Sequence, residues 1–77
     1  MDEFITILND RIREQVSPIV YIIWLSDLDY LLENGVLEIK SPNQFKSNVV
    51  KNEFSDLFKD VISELLSENI KLRFTYW

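Results

Sequence analysis

The chain has 77 residues, enough for one small folded domain and too few for two. Hydrophobic residues make up 47% and aromatic residues 13%, which is too apolar for a disordered chain. The formal net charge of −5 argues against broad binding to nucleic acid, because such binding depends on Lys and Arg displacing counterions. The absence of cysteine fits a reducing compartment.

Membrane insertion and secretion are not indicated by the sequence. The longest apolar run, residues 19 to 25, is far shorter than the roughly 18 residues that a membrane-spanning helix needs. Asp2 and Glu3 stand where a secretory signal would carry Lys or Arg. We therefore expect a soluble, cytoplasmic chain that does not bind a membrane through this domain.

Catalytic chemistry is poorly supplied. The sequence contains no His, no Cys and one Gly, which removes the commonest general base, the thiolate nucleophile, the usual zinc ligands and a Gly-rich phosphate loop. Carboxylates could in principle hold Mg²⁺, but a solvated acidic face is the favoured interpretation. We expect no enzymatic activity, no metal and no cofactor. The carboxylates in question are Asp27 with Asp29, and Asp56, Asp60 and Glu64.

Residues 2 to about 15 have the spacing of an amphipathic helix, with apolar residues every three or four positions. Ser17 and Pro18 then predict the start of a second helix, because Ser caps free N–H groups and Pro is favoured at the first helical position. Residues 19 to 25 are apolar on almost every side, so this helix is either buried all round or offers one side to a partner. The apolar stripe of the first helix consists of Phe4 or Ile5, Leu8, Ile12 and Val16.

A hairpin is predicted around Asn34 and Gly35. These two residues tolerate the positive φ angles that a type I′ turn requires. They separate residues 30 to 33 from residues 36 to 40, two short runs rich in apolar side chains. Two antiparallel strands are therefore expected at this point of the chain.

A third helix is predicted to start in the segment 41 to 44, with Ser41 as N-cap, Pro42 as first helical residue and Gln44 completing a capping box. The step along its apolar stripe changes from four to five between Val49 and Phe54, which predicts a kink or break at residues 51 to 53. The stripe consists of Phe45, Val49, Phe54, Leu57 or Phe58, Val61, Ile62, Leu65 and Leu66.

Residues 70 to 76 alternate between apolar and polar, as a half-buried strand does. The predicted order is α-α-β-β-α-β. The expected fold is a single small α+β domain in which a three-stranded sheet packs against the helices. Ile70, Leu72, Phe74 and Tyr76 are expected to face the helices, and Lys71, Arg73 and Thr75 to face water.

Trp24 and Leu25 are followed by the hairpin and then by the run Pro42-Asn43-Gln44-Phe45. This order and spacing are typical of one protein family. From about residue 4 to residue 74 the chain resembles domain I, the N-terminal domain of the bacterial chromosomal replication initiators of the DnaA family. The resemblance implies an α/β sandwich with a KH-like layout. It also implies that residues 1–77 are the N-terminal fragment of a longer initiator, whose ATP-binding and DNA-binding parts lie elsewhere.

The resemblance implies assembly rather than catalysis: self-association of the initiator, recruitment of the replicative helicase and binding of proteins that regulate initiation. The contact surface carried over by position consists of Ile23, Trp24, Asn43 and Phe45.

Two positions depart from the family pattern. Ile5, beside Phe4, stands where many members have a Trp that supports self-association as a homo-oligomer. Val20 stands where some members have a Glu directed at the helicase. Helicase contact is therefore expected to depend on apolar anchors.

Other interpretations stay open. Phe45 either anchors a partner or fixes the entry of the third helix, and Trp24, Phe4 and Ile5 also suit the core. The chain could instead be a KH-like binder of single-stranded nucleic acid, although the Gly-x-x-Gly loop of KH domains is absent and at most weak binding to single-stranded DNA is expected. It could also be a free-standing regulator that imitates the initiator domain.

Overall fold

The computed structural model describes residues 3–77, which form three helical regions and one three-stranded sheet. The helical regions are α1 (Glu3–Glu14), α2 (Pro18–Val20) with a π-helical turn that continues it (Tyr21–Leu25), and α3 (Gln44–Leu65). The strands are β1 (Asp29–Glu33), β2 (Val36–Ser41) and β3 (Lys71–Tyr76). The predicted α+β class and element order are confirmed. The predicted start of the first helix at Asp2 lies outside the described residues.

The predicted hairpin is present between β1 and β2. Asn34 and Gly35 adopt φ angles of 52° and 76°, the left-handed region that a type I′ turn demands at both central positions. The strands pair in antiparallel register, with Leu32 opposite Leu37. The turn therefore sets which side chains of the hairpin face the helices.

The sheet has the order β1-β2-β3, so that β2 lies in the centre. β3 runs parallel to β2, and α3 forms the crossover between them. Leu72 lies opposite Leu37 and Phe74 opposite Ile39, which puts the apolar residues of both strands on one face. That face packs against α3, which in turn packs against α1, and the sheet is thus covered by helices on one face as the sequence predicts.

Three details of β3 differ from expectation. Tyr76 occupies an inner-face position in the alternation of β3 but is 50% exposed, because it lies at the end of the strand. Thr75, expected to face water, is half-buried with its hydroxyl enclosed. Ile70 is half-buried but precedes the strand.

The core is centred on Phe58, whose ring centroid lies 6.0 Å from that of Tyr30 and 6.3 Å from that of Phe74. Burial raises the pKa of the Tyr30 hydroxyl. α1 contributes Leu8 and Ile12, both fully buried as predicted. The fully or almost fully buried apolar residues are Leu8, Ile12, Leu25, Leu28, Leu37, Ile39, Val50, Phe58, Val61 and Ile62.

The start of α3 was predicted wrongly. Its N-cap is Asn43, whose side-chain oxygen accepts a hydrogen bond from the backbone N–H of Lys46 at 2.8 Å. Ser41, the predicted cap, is the last residue of β2 and its carbonyl accepts a bond from the N–H of Trp77. Because the sheet holds Ser41, the helix begins at Gln44 rather than at Pro42.

The predicted kink or break at residues 51 to 53 is also wrong, since α3 is continuous over Gln44–Leu65. Val50, which is fully buried, belongs to the inward stripe, and Val49 is only half-buried. From Val50 to Phe54 the step is the regular four residues, so the irregular step in the sequence came from assigning the wrong valine.

Candidate protein-interaction site

Four large apolar side chains lie exposed on the second helical region and in the first turn of α3. Ile19 is 63% exposed, Ile22 64%, Ile23 50% and Phe45 71%. Together with Trp24 they are called the apolar surface below. Other exposed apolar residues lie elsewhere in the described chain: Ile7 on α1, Leu31 on β1, and Tyr76 and Trp77 at the end of β3.

The second helical region starts and ends with side-chain caps. The Ser17 hydroxyl oxygen accepts a bond from the N–H of Val20 at 3.3 Å, and Pro18 is the first helical residue, as predicted. At the other end the Ser26 N–H donates to the carbonyl of Tyr21 at 2.8 Å, the i to i−5 bond of a π-helical turn. The Ser26 hydroxyl donates to the carbonyl of Ile22 at 2.7 Å.

One side of this region is fixed to the body of the domain. Leu25 is fully buried, and the Tyr21 hydroxyl donates to the side-chain oxygen of Asn9 on α1 at 3.1 Å. The guanidinium of Arg13 lies 5.8 Å from the centre of the Tyr21 ring, a cation–π distance. The three isoleucines, at i, i+3 and i+4, are therefore left on the opposite side.

Trp24 and Phe45 connect the second helical region to α3. Their ring centroids are 6.4 Å apart and their planes are inclined by 45°. Trp24 is half-buried and packs against the core, so it supports Phe45 from the inside. Phe45 is exposed in the first turn of α3, as an interaction role requires, and that role itself stays a prediction.

Polar contacts fix the start of α3 beneath Phe45. Nζ of Lys46 lies 2.6 Å from Oδ1 of Asp27, and the Lys46 side chain is only 13% exposed. The side chain of Asn43 is occupied as the N-cap. Of the residues carried over from the resemblance, Trp24 and Phe45 are in ring contact, Ile23 adjoins Trp24 in the sequence, and Asn43 shapes the backbone that presents Phe45.

The residues predicted for self-association lie elsewhere. Phe4 and Ile5 are half-buried on α1 and pack against the core. Val20 is half-buried as well. Ile5 lines a cleft of about 400 Å³ at the start of β1, together with Thr6, Asn9, Ser26, Leu28, Asp29 and Tyr30.

The chemistry of the apolar surface is contact rather than proton transfer, because none of its five side chains titrates. Within residues 3–77 no group of three or more carboxylates is arranged to hold a metal ion. Glu64, one of the carboxylates noted in the sequence, binds Arg11 and thereby raises the pKa of that guanidinium. The expected lack of metal and cofactor stays a prediction.

None of the helices in the described range combines the length and apolarity needed to cross a bilayer.

Ile19 and Ile22 are the contact candidates that were not singled out in the sequence. Their signal was the helix that is apolar on almost every side, for which an exposed face was one of two open alternatives. The structure selects that alternative, since Leu25 is buried and the isoleucines are exposed.

Comparisons with known proteins agree with the resemblance at a coarse level. No protein-family model matches the sequence. The chromosomal replication initiator protein DnaA of Buchnera aphidicola subsp. Cinara cedri (strain Cc) is 24% identical over 59 residues, which cover 77% of this chain and 14% of that protein. DnaA of Herminiimonas arsenicoxydans is 27% identical over 77 residues, 96% of this chain and 16% of that protein. The chain thus spans about a sixth or less of the length of these curated relatives, and it is distantly similar to replication initiators.

Proposed function

We propose that this chain is the protein-interaction domain of a replication initiator, equivalent to domain I, and that its apolar surface contributes to recruiting the replicative helicase. One observation carries the proposal: Phe45 is 71% exposed in the first turn of α3, with its ring against Trp24. A large exposed aromatic side chain beside other exposed apolar residues is typical of a contact surface.

The surrounding structure favours tight contact because it holds Phe45 in place before a partner arrives. The Asn43 cap and the pair between Lys46 and Asp27 fix the first turn of α3, and Trp24 supports the Phe45 ring. Binding energy concentrates in a few rigid aromatic anchors, since ordering such groups costs little conformational entropy. Ile19, Ile22 and Ile23 would surround this anchor and exclude water from the contact.

Regulators of initiation are proposed to use the same apolar surface, so that they compete with the helicase for it. Self-association through Phe4 and Ile5 has a smaller part in the proposal, because both side chains are half-buried against the core. Catalysis has none, because the sequence lacks His and Cys altogether. A cytoplasmic location follows from this function.

The experiment is an NMR titration of the isotope-labelled domain with the replicative helicase of the same organism. We expect the amide signals of Ile23, Trp24 and Phe45 to shift or broaden. In Phe45→Ala the affinity should fall by about tenfold or more, which is the usual loss when a central aromatic anchor is truncated.

The matched control is Leu31→Ala, which removes a side chain that is 51% exposed on β1, away from the apolar surface. Its affinity for the helicase should equal that of the unmodified domain. Equal losses in both variants, or an unchanged affinity in Phe45→Ala, would refute a helicase contact through the apolar surface.

A further inference from the structure

We infer that the groove between α3 and the free edge of β3 binds an extended peptide strand in which acidic and aliphatic residues alternate. The residues of this groove are different from those of the apolar surface. It adds a second kind of partner to the helicase and regulators proposed above.

The first observation is the unpaired edge of β3. In the described part of the chain, β3 pairs with β2 and with no second strand. The N–H of Lys71 donates to the carbonyl of Gly35 at 3.0 Å, and that of Trp77 donates to the carbonyl of Ser41 at 3.1 Å. Backbone groups alternate in direction along a strand, so the N–H and C=O groups of Leu72, Phe74 and Tyr76 point to the free edge, as a template for an added strand.

The second observation is a groove alongside that edge. It has a volume of about 380 Å³ and is lined by Lys51, Asn52, Ser55, Lys59, Leu72 and Phe74. Leu72 and Phe74 are half-buried and give the groove an apolar floor. Lys51 and Lys59 lie exposed on its α3 side and form no ion pair with any residue in the range 3–77. The groove therefore offers apolar contact flanked by two lysines that form no ion pair in the described range.

The third observation is the charge on the other side of the same edge. Lys71 and Arg73 are exposed on the outer face of β3. Arg73 binds Glu38 at 3.1 Å, yet its side chain is 64% exposed and keeps free donors. With Lys51 and Lys59, these make four of the eight basic residues of a chain whose net charge is −5. Such a concentration of positive charge favours an acidic ligand.

The alternation of a β-strand fixes the chemistry of that ligand. Side chains of an added strand point alternately towards α3 and away from it. Those pointing inward would meet Leu72 and Phe74 and should be aliphatic. Those pointing outward would meet Lys71 and Arg73 and should be acidic.

A peptide fits this site better than a single-stranded nucleic acid. Nucleic acid lacks the regular row of amide and carbonyl groups that an open strand edge can bind. Proteins that hold single strands stack bases on exposed aromatic rings. The Phe74 ring packs against Phe58 instead, with the planes inclined by 68°, and is half-buried.

The probe is an unlabelled synthetic peptide in which glutamate and valine alternate. It is added to the isotope-labelled chain, and amide hydrogen exchange of the chain is measured by NMR. Exchange at Leu72, Phe74 and Tyr76 should slow on binding, because their N–H groups become bonded. Exchange at Lys71 and Arg73 should hardly change, since their N–H groups already face β2.

Matched variants separate backbone from side-chain effects. Tyr76→Pro removes an outward N–H without removing a bond to β2, a change that edge strands tolerate, and should weaken peptide binding. Tyr76→Ala removes the same side chain but keeps that N–H, and should bind more tightly than Tyr76→Pro. Lys71→Glu should weaken binding by about tenfold, because Lys71 would meet the outward acidic side chains, whereas Arg13→Glu, a charge reversal on α1, should not.

Several results would overturn the inference. A peptide of the same composition with its glutamates and valines in separate blocks should bind far more weakly, and equal binding would show charge attraction alone. Slowing of the same amides by oligothymidylate would assign the groove to nucleic acid. Slowing with protein concentration alone, without peptide, would assign it to a second copy of the chain. Phe45→Ala should leave peptide affinity unchanged, which distinguishes this site from the helicase contact.

Discussion

Phe45 and Phe58 are the same residue type on the same helix, and the fold gives them opposite environments. Phe58 is fully buried between the rings of Tyr30 and Phe74. Phe45 is 71% exposed and has the ring of Trp24 on one side. The middle of α3 packs on the sheet, whereas its first turn borders the end of the π-helical turn. Stability should therefore depend on Phe58, and Phe45 is available for a partner at little cost to the fold.

The largest expected effect is that of Phe58→Ala, which should lower the free energy of unfolding by about 3–5 kcal/mol because it leaves a cavity between the rings of Tyr30 and Phe74. Urea denaturation followed by circular dichroism measures it. If the alanine variant does not fold, Phe58→Leu should fold with a smaller loss. A loss below about 1 kcal/mol for Phe58→Ala would contradict the buried position of this ring.

Val61→Ala and Leu57→Ala test the inward side of α3 at two further positions. Val61 is 2% exposed and Leu57 is half-buried, so each variant should lose about 1–4 kcal/mol of unfolding free energy. The exposed Asp60 provides the control, since Asp60→Ala should change stability by no more than about 0.5 kcal/mol. Melting temperatures unaffected by both core substitutions would show that the register of α3 is wrong.

Tyr30 allows the buried side to be tested by pH. Burial raises the pKa of its hydroxyl in the folded state, while an unfolded Tyr titrates at about pH 10. The unfolded chain therefore releases this proton first, and stability should fall as pH rises above about 10, by roughly 1.4 kcal/mol per pH unit while the folded hydroxyl stays protonated. Denaturation at a series of alkaline pH values measures the slope.

In Tyr30→Phe, the part of the alkaline loss of stability that the Tyr30 hydroxyl causes should vanish. It should persist in Tyr76→Phe, because Tyr76 is 50% exposed. The Tyr30 hydroxyl is buried without a hydrogen-bond partner among the described residues, so its removal should leave the neutral-pH stability unchanged or slightly higher. A large loss of stability at neutral pH in Tyr30→Phe would indicate a bonded hydroxyl.

Only a small effect on stability is expected for Phe45→Ala. Because most of the ring is already in water, the unfolding free energy should change by less than about 0.5 kcal/mol. Denaturation under the conditions used for Phe58→Ala gives a direct comparison. A loss comparable to that of Phe58→Ala would mean that the contact between Phe45 and Trp24 belongs to the core, which would weaken the case for the apolar surface.

Local pattern was enough to predict the hairpin and the inward positions of Leu72 and Phe74 on β3, because Asn34 and Gly35 and the alternation around Leu72 act over a few residues. It was not enough for the start of α3, where Ser41 and Asn43 are both good caps and pairing within the sheet decides between them. Neighbouring valines likewise left the phase of the helix open, and packing on the sheet chose Val50.

The candidate site was predicted in part. The resemblance pointed to Trp24 and Phe45, which the structure brings into ring contact. The exposure of Ile19 and Ile22 could not be read from a helix that is apolar on almost every side, because the sequence does not say which side the core covers. The π-helical turn gave no local signal, since no Gly or Pro marks it.

The parallel pairing of β2 with β3 has a consequence for how the domain forms during translation. The central strand emerges from the ribosome with one neighbour, β1, and gains the other only after the whole of α3 has been made. The ribosome must therefore release Lys71–Tyr76 before the nascent chain can close its sheet, and until then one edge of β2 stays unpaired and accessible to chaperones. Protease resistance of ribosome-bound chains of increasing length should accordingly rise in one step, when β3 clears the exit tunnel.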